Sequence, residues 1–339
     1  MIQQCIIHRV GNKNNDDGVV LSDNPTTLSP ELDRTLIKYF LQNFEGKEDT
    51  WNFIHVDDIK FNEVSSYASN IFLGADFVDI SKKIAKYLYE SSVHPNIKGG
   101  ELFVAVLSNV MYDGKHVRAI GLFKSETKES FLKFVSTNDS LEVKNELGAS
   151  VNRLDKGCII LDYSDEKGYY VFSIDGSNRT DAKYWTDDFL GIIPRQNEYT
   201  FTNNVLSMTT EFVSKVLPTQ YPITKAEQVE ILNKSVNYFR GNEFFSMEEY
   251  EEEVFKDLAM IDSFNSHKEA YKQEKNVELE ENFAISESAV NKQRRKIKSV
   301  IKLDQNFHIY VHGGEQLINY GYDKERGMKY YKLYYREEK

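Results

Sequence analysis

Apolar residues in the first half of the chain follow two rhythms. Leu32, Leu36, Ile37, Phe40 and Leu41 recur every three or four residues, which predicts an amphipathic helix. Ser29-Pro30-Glu31 opens it with a capping hydroxyl and a proline at the first helical position. Ile80, Ile84, Tyr87 and Leu88 predict a second helix that ends before His94-Pro95. Residues 101–111 (ELFVAVLSNVM) are instead apolar at nearly every position, the mark of a strand covered on both faces, and they are expected at the centre of a sheet. Asp113-Gly114 is a two-residue hairpin signal leading into a partner strand at 117–123. Further strands are expected at 131–135, 158–163 and 169–174, the last two joined by the polar turn 164–168.

From 199 to about 293 the period becomes helical. Leu206, Phe212, Val213, Val216 and Leu217 fit a helix stopped by Pro218, and Val229, Ile231, Leu232, Val236 and Phe239 fit one closed by Gly241. Residues 250–258 and a more polar helix follow. Alternation returns from Ile297, through Phe307, Ile309 and Val311, a Gly313-Gly314 turn, then Leu317, Ile318 and Tyr320, and finally 330–335. The expectation is an α+β protein. Residues 1–195 form a domain with a mainly antiparallel sheet and helices, and 196–339 a helical region followed by a small β-rich C-terminal unit.

Length and composition narrow the class. A chain of 339 residues, 40% hydrophobic, buries a substantial core. Its longest apolar run, residues 102–107, is six residues against the ~20 of a membrane-spanning helix, so no membrane association is expected. The opening MIQQCIIHRV lacks a basic region followed by an apolar stretch, so secretion is not expected. Cys5 and Cys158 both sit in apolar surroundings, which suits buried thiols in a reducing cytoplasm better than a disulfide.

Charge changes the picture more. The formal net charge is −11, yet residues 243–290 hold fourteen Asp or Glu against four Lys and so account for −10 of it. Immediately afterwards, Lys292, Arg294, Arg295, Lys296, Lys298 and Lys302 put six cations into eleven residues with no acid among them. Such a block either neutralises the acidic helices as a solvated helix face or meets an external polyanion. The stretch AISESAVNKQRR around it has the make-up of a recognition helix, with Ser286 as cap, Ala289 and Val290 turned inward and the cations outward. In the tail, Lys329, Lys332 and Arg336 alternate with Tyr330, Tyr331, Tyr334 and Tyr335, a pattern shared by nucleic-acid surfaces and by ordinary half-buried strands.

Catalytic constellations are weak. His308 and His312 lie on a predicted strand, where four residues span about 13 Å, too far for one metal ion. Asp113, Glu126 and Lys128 imitate the acids and lysine of metal-dependent nucleases, but a predicted strand separates Asp113 from the other two. Lys98-Gly99-Gly100 would offer an ammonium and two amides to a phosphate, yet a strand rather than a helix follows, so the glycine pair is read as a tight turn. No cofactor or metal is expected, and no enzyme.

Several stretches nevertheless resemble a known family. HPNIKGGEL (94–102), AIGLFKSETKESFLK (119–133), LDKGCIIL (154–161) and AKYWTDDFL (182–190), with IHRVGNK (7–13) and the following VLSD, are similar to the bacterial nucleoid-associated protein family in a Bacteroidetes-like form. The resemblance runs through most of the chain. It implies a cytoplasmic, nucleoid-located protein able to bind double-stranded DNA. It assigns no contacting residues, so the proposed contacts rest on charge: Lys292, Arg294, Arg295, Lys296, Lys298 and Lys302 first, with Lys98, Lys329, Lys332 and Arg336 as secondary candidates. The alternative is an interaction adaptor whose acidic helices at 248–281 recruit a protein and whose DNA association is indirect. A homodimer is compatible with either.

Overall fold

The computed structural model describes residues 1–137, 140–176, 184–297, 300–303, 305–310 and 317–337, with the backbone alone at 300 and 302. Two compact units divide the chain, Met1–Arg195 and Gln196–Lys339.

In the first unit the order is β1 (Ile2–Val10), β2 (Val19–Val20), α1 (Pro30–Leu41), β3 (Trp51–Phe53), α2 (Glu63–Phe72), α3 (Phe77–Ser91), β4 (Gly100–Tyr112), β5 (Lys115–Ser125), β6 (Glu129–Ser136), β7 (Leu141–Gly148), β8 (Lys156–Asp165), β9 (Gly168–Asp175), a π-helical turn Tyr184–Leu190, and β10 (Ile192–Pro194). Among the described residues one eight-stranded sheet runs β10-β3-β9-β8-β5-β4-β1-β2, antiparallel at every pairing. The α+β class is as expected. The sheet centre lies between β8 and β5, one step from β4, because β9, β3 and β10 extend the sheet beyond β8 while only β1 and β2 lie beyond β4.

The unbroken apolar run of β4 has a direct cause. Leu102, Val104 and Val106 pack into a layer with α2, α3 and Trp185, while Ala105, Leu107 and Phe103 pack with Leu36, Tyr39 and Phe40 of α1 on the other face. Both faces are covered, so neither parity of the strand is polar. Cys5 belongs to the α1 layer and Cys158 to the α2–α3 layer, so the sheet itself separates the two free thiols. The β4–β5 hairpin turns at Asp113 and Gly114, both at positive φ (48° and 69°), the backbone that a two-residue turn between twisted strands demands. Ser29 Oγ caps α1 by accepting from Leu32 N at 3.2 Å.

The strand expected at 131–135 is present but stands apart from the main sheet. It is β6, which joins β7 in a separate two-stranded ribbon.

The second unit contains α4 (Glu198–Glu211), a π-helical stretch Phe212–Val216, α5 (Leu217–Gln220), α6 (Lys225–Gly241), β11 (Phe244–Ser246), α7 (Met247–Val254), α8 (Leu258–Lys275), β12 (Asn282–Ala284), α9 (Glu287–Lys296), β13 (Val300–Leu303), β14 (Phe307–Tyr310), β15 (Ile318–Asp323) and β16 (Met328–Leu333). Helix does not stop before Pro218, as its presence suggests. The wide π turns let Pro218 enter at the start of a new short helix, where its missing N–H is no loss. The core centres on Tyr250, whose hydroxyl lies 2.7 Å from Thr209 Oγ1 and 2.6 Å from Ser235 Oγ, inside a shell of Phe212, Phe239, Phe245, Phe255 and Phe264. The hairpins β13–β14 and β15–β16 lean on α6 through Ile301, Leu303, Ile309, Ile318 and Tyr331.

Candidate nucleic-acid interface

Helix α9 is built as its sequence suggests at one end and differently at the other. Ser286 Oγ accepts from Ala289 N at 3.3 Å, and Ala289, Val290 and Gln293 are buried. Gln293 Nε2 donates to Asn203 Oδ1 and, at 2.9 Å, to Ser207 Oγ, so the helix is clamped along α4 by a polar side chain as well as by apolar ones. Lys292 is drawn into the same seam. Its Nζ donates to Tyr199 OH at 2.6 Å and stands 5.2 Å from that ring's centroid, which leaves the residue half-buried.

Arg294, Arg295 and Lys296 form the exposed last turn of α9. None of the three has an acid partner among the described residues. Their position favours them, because the unsatisfied carbonyls of a helix C-terminus carry partial negative charge. Lys298 and the side chain of Lys302 lie outside the described residues.

The recognition-helix reading is corrected. A helix-turn-helix joins its helices through three or four residues, whereas α8 ends at Lys275 and α9 begins at Glu287, with strand β12 between them. The first turn of α9, the part a recognition helix offers to bases, carries Glu287 and no cation. The positive end is the C-terminal one, which suits phosphate contact and not base reading.

The tail residues sit on the β15–β16 hairpin and just beyond it. Tyr320 pairs with Tyr331 and Tyr322 with Lys329, on the side of the hairpin that leans on α6, where Tyr320 OH donates to Glu227 Oε1 at 2.9 Å. The other side carries Tyr330 and Lys332, and Lys332 Nζ stands 5.3 Å from the Tyr334 ring centroid. Lys329, Lys332 and Arg336 are all exposed.

Lys98 belongs to the first unit, and its surroundings settle the Gly99-Gly100 question on packing grounds. A Cβ on Gly100 would stand 2.0 Å from the carbonyl oxygen of Ser125, and one on Gly99 would stand 3.2 Å from Gly11 Cα. The pair permits close backbone approach at the start of β4. The Lys98 side chain is exposed, while its carbonyl accepts from Lys124 Nζ at 2.7 Å.

That contact opens onto a cluster the sequence did not announce. Lys124 Nζ also lies 3.0 Å from Glu126 Oε1 and 3.1 Å from Tyr184 OH, and Tyr184 OH donates to Glu126 Oε1 at 2.7 Å. Lys156 Nζ meets both oxygens of Asp175 at 2.8 and 2.9 Å and stands 4.8 Å from the Tyr184 ring centroid. Asp155 Oδ2 accepts from the amides of Glu126 and Thr127, both at 2.8 Å. Burial pulls the Lys124 ammonium below the usual lysine range against the opposing pull of Glu126, and burial beside Glu126 pushes the Tyr184 phenol up. The family-like segments at 94–102, 119–133, 154–161 and 182–190 thus meet at one buried point. The only foreshadowing was the presence of lysine and acid inside strands otherwise apolar. Glu126 is committed to this cluster and Lys128 pairs with Glu101, so neither joins Asp113 in a nuclease-like set. Among the described residues no three His, Cys, Asp or Glu are grouped to hold a metal ion.

The acidic helices are less uniformly outward than their composition suggests. Glu251 is buried, accepting from Asn265 Nδ2 at 3.0 Å and facing Lys268 Nζ at 3.4 Å, whereas Glu248, Glu249, Glu252 and Glu253 are exposed on α7. Among the described residues no helix is long and apolar enough to cross a membrane.

No curated protein matches the chain. A family profile described as Nucleoid-associated protein YejK matches residues 6–326, which takes in nearly all of the sheet, the buried cluster, α9 and the C-terminal strands through β15 but not β16. The chain belongs to the nucleoid-associated protein YejK family.

Proposed function

We propose that this chain is a non-catalytic protein of the bacterial nucleoid, in the cytoplasm, that binds duplex DNA chiefly through its phosphates. The observation that carries the reading is the exposed last turn of α9, three cations without an acid partner among the described residues, fixed in place by the Ser286 cap and the Gln293 clamp. Phosphates accept such a turn without sequence preference, and counterion release supplies the affinity. Lys292 serves the site from its edge, since its ammonium is shared with Tyr199. Lys298 and Lys302 belong to the same proposed contact by sequence, and Lys98, Lys329, Lys332 and Arg336 are secondary.

The test is binding of the full chain to random-sequence duplex across a salt series. With three or four phosphates engaged, log affinity falls against log salt with a slope of roughly −3 to −4, at about −0.9 per phosphate. The variant R294E/R295E/K296E, shown by its melting curve to be folded, weakens binding to every duplex alike and flattens the slope. Wild-type affinity and slope in the folded variant overturn the reading and leave the three cations as complements of the helix terminus.

A second reading has its own observation, the exposed row Glu248, Glu249, Glu252 and Glu253 on α7. An adaptor that recruits a basic protein would lose its partner when these four are replaced by Gln and would keep whatever DNA association it has when Arg294, Arg295 and Lys296 are changed.

A further inference from the structure

The first unit holds a cleft of about 350 Å³ between the 3-10 turn Ile59–Phe61, helix α2 and the turn that joins β8 to β9. Its walls are fixed from behind. Asn62 Oδ1 caps α2 by accepting from Ser65 N at 2.9 Å, while its Nδ2 donates to Ile54 O at 3.1 Å and to Leu190 O at 2.9 Å. Arg195 Nη1 donates to Asp165 Oδ2 at 2.6 Å and Nη2 to Gly168 O at 2.9 Å, which braces the opposite wall. Gly168 stands at φ +85°, and a Cβ there would come within 2.8 Å of Ile59 Cδ1, so glycine lets the turn close against the 3-10 segment.

Hydrogen bonding in the lining is unbalanced. Helix α2 presents Ser65, Ser66 and Ser69 to the cleft from one face, and Ser164 meets them from the end of β8. Ser65 is only 9% exposed, yet its hydroxyl, like those of Ser66, Ser69 and Ser164, has no hydrogen-bond partner among the described residues. Lys60 has no acid partner among them either. The carboxylate of the cleft, Asp165, is by contrast saturated, since besides Arg195 it accepts from Tyr170 OH at 3.0 Å and from Lys167 N at 2.8 Å. Asn70 Nδ2 donates to Ser66 O at 2.9 Å. Apart from the Asn70 side-chain carbonyl, the side-chain groups left open are one ammonium and four hydroxyls, all able to donate.

We propose that this cleft binds a small phosphomonoester of nucleotide size, with its phosphoryl oxygens on Lys60 Nζ and the serine hydroxyls and its organic part against Ile59 and the Tyr169 ring. Unpaired donors call for a ligand rich in acceptors, and a terminal phosphoryl group brings several acceptor oxygens together with the negative charge that the ammonium pairs with. The Asp165–Arg195 ion pair cancels itself, which leaves Lys60 as the net charge of the lining. Size points the same way, because about 350 Å³ is more than inorganic phosphate fills and falls within the ~300–1,000 Å³ of small-molecule pockets. Tyr169 packs on Phe72 with ring centroids 5.4 Å apart, so the apolar wall is held in place. The cleft belongs to the first unit and α9 to the second, and the proposal is independent of duplex binding.

Calorimetric titration of the full chain with adenosine monophosphate and ribose phosphate, each against its unphosphorylated parent, tests it. At least one phosphorylated probe is expected to bind with a Kd below about 1 mM, and its parent about tenfold more weakly or worse. K60M and S65A/S69A are each expected to weaken that probe about tenfold or more. Ser65 and Ser69 give up no partner and alanine favours a helix, so S65A/S69A is expected to melt no lower than wild type and to keep the wild-type salt slope on duplex DNA. R294E/R295E/K296E is expected to bind the probe as wild type does. The proposal is overturned if neither phosphorylated probe binds below about 1 mM, or if adenosine or ribose binds as tightly as its phosphate ester. It is equally overturned if folded K60M and S65A/S69A bind the probe like wild type, or if R294E/R295E/K296E loses it, which would place the probe at α9.

Discussion

Lys124 Nζ lies 3.0 Å from Glu126 Oε1 with the lysine side chain wholly withdrawn from solvent and the glutamate nearly so. Two charges two residues apart in the chain meet because β5 ends between them, at Ser125, and the hydroxyl of Tyr184 bridges them. Removing one partner of such a pair leaves the other charge buried alone. K124M is expected to cost about 3 kcal/mol or more in urea unfolding, and K124M/E126Q to recover most of that loss.

His8 sets a pH limit on the first unit. Its ring is buried between β1 and α3, with Nδ1 accepting from Ser22 N at 3.1 Å and Nε2 lying 3.0 Å from Ser81 Oγ. Burial, with the charge of Lys82 adding to it, lowers its pKa from 6.5 to about 4. The folded pKa is below the unfolded one, so the unfolded chain binds the proton more readily. The contribution is therefore complete above about pH 6.5 and drains away as the pH falls towards 4, by about 3 kcal/mol in all. Unfolding free energies at pH 7 and pH 4.5, compared with those of H8Q, are expected to show the wild type losing more.

Two glycines are expected to respond in opposite directions. G100A would drive a Cβ into the Ser125 carbonyl and cost about 3 kcal/mol or more, because both atoms belong to paired backbone. Gly241, at the end of α6, has open space where a methyl group would stand, with no atom within 4 Å, and its backbone is not left-handed. G241A therefore gains about 0.5 kcal/mol by restricting the unfolded chain. Thermal melts of the two variants distinguish these outcomes.

On the proposed reading, the tail is expected to contribute less to DNA binding than α9. K329Q/K332Q/R336Q is expected to change the salt slope by about 1, less than R294E/R295E/K296E does, since Lys332 is already engaged with the Tyr334 ring. Parallel salt titrations of the two variants on one duplex measure the difference.

Local pattern determined much of this protein. The Ser29 cap, the Asp113-Gly114 turn, the doubly covered strand β4 and the outward last turn of α9 each depend on residues within a few positions of one another, or on a periodicity that a few turns suffice to reveal. The α+β class followed from the same periods. What tertiary structure decided were pairings between distant segments. β1 beside β4, Gln293 on Asn203 and Ser207, Glu251 turned onto Lys268, and the gathering of Lys98, Lys124, Glu126, Asp155, Lys156 and Tyr184 at one buried point join segments whose sequences do not refer to each other. A lysine in a strand reads as a solvent-facing residue until its counter-charge arrives from elsewhere in the chain. The ribbon β6–β7 shows the converse. Its apolar residues read as those of any half-buried strand, and only the fold shows that Leu132, Phe134, Leu141, Val143 and Leu147 stay exposed.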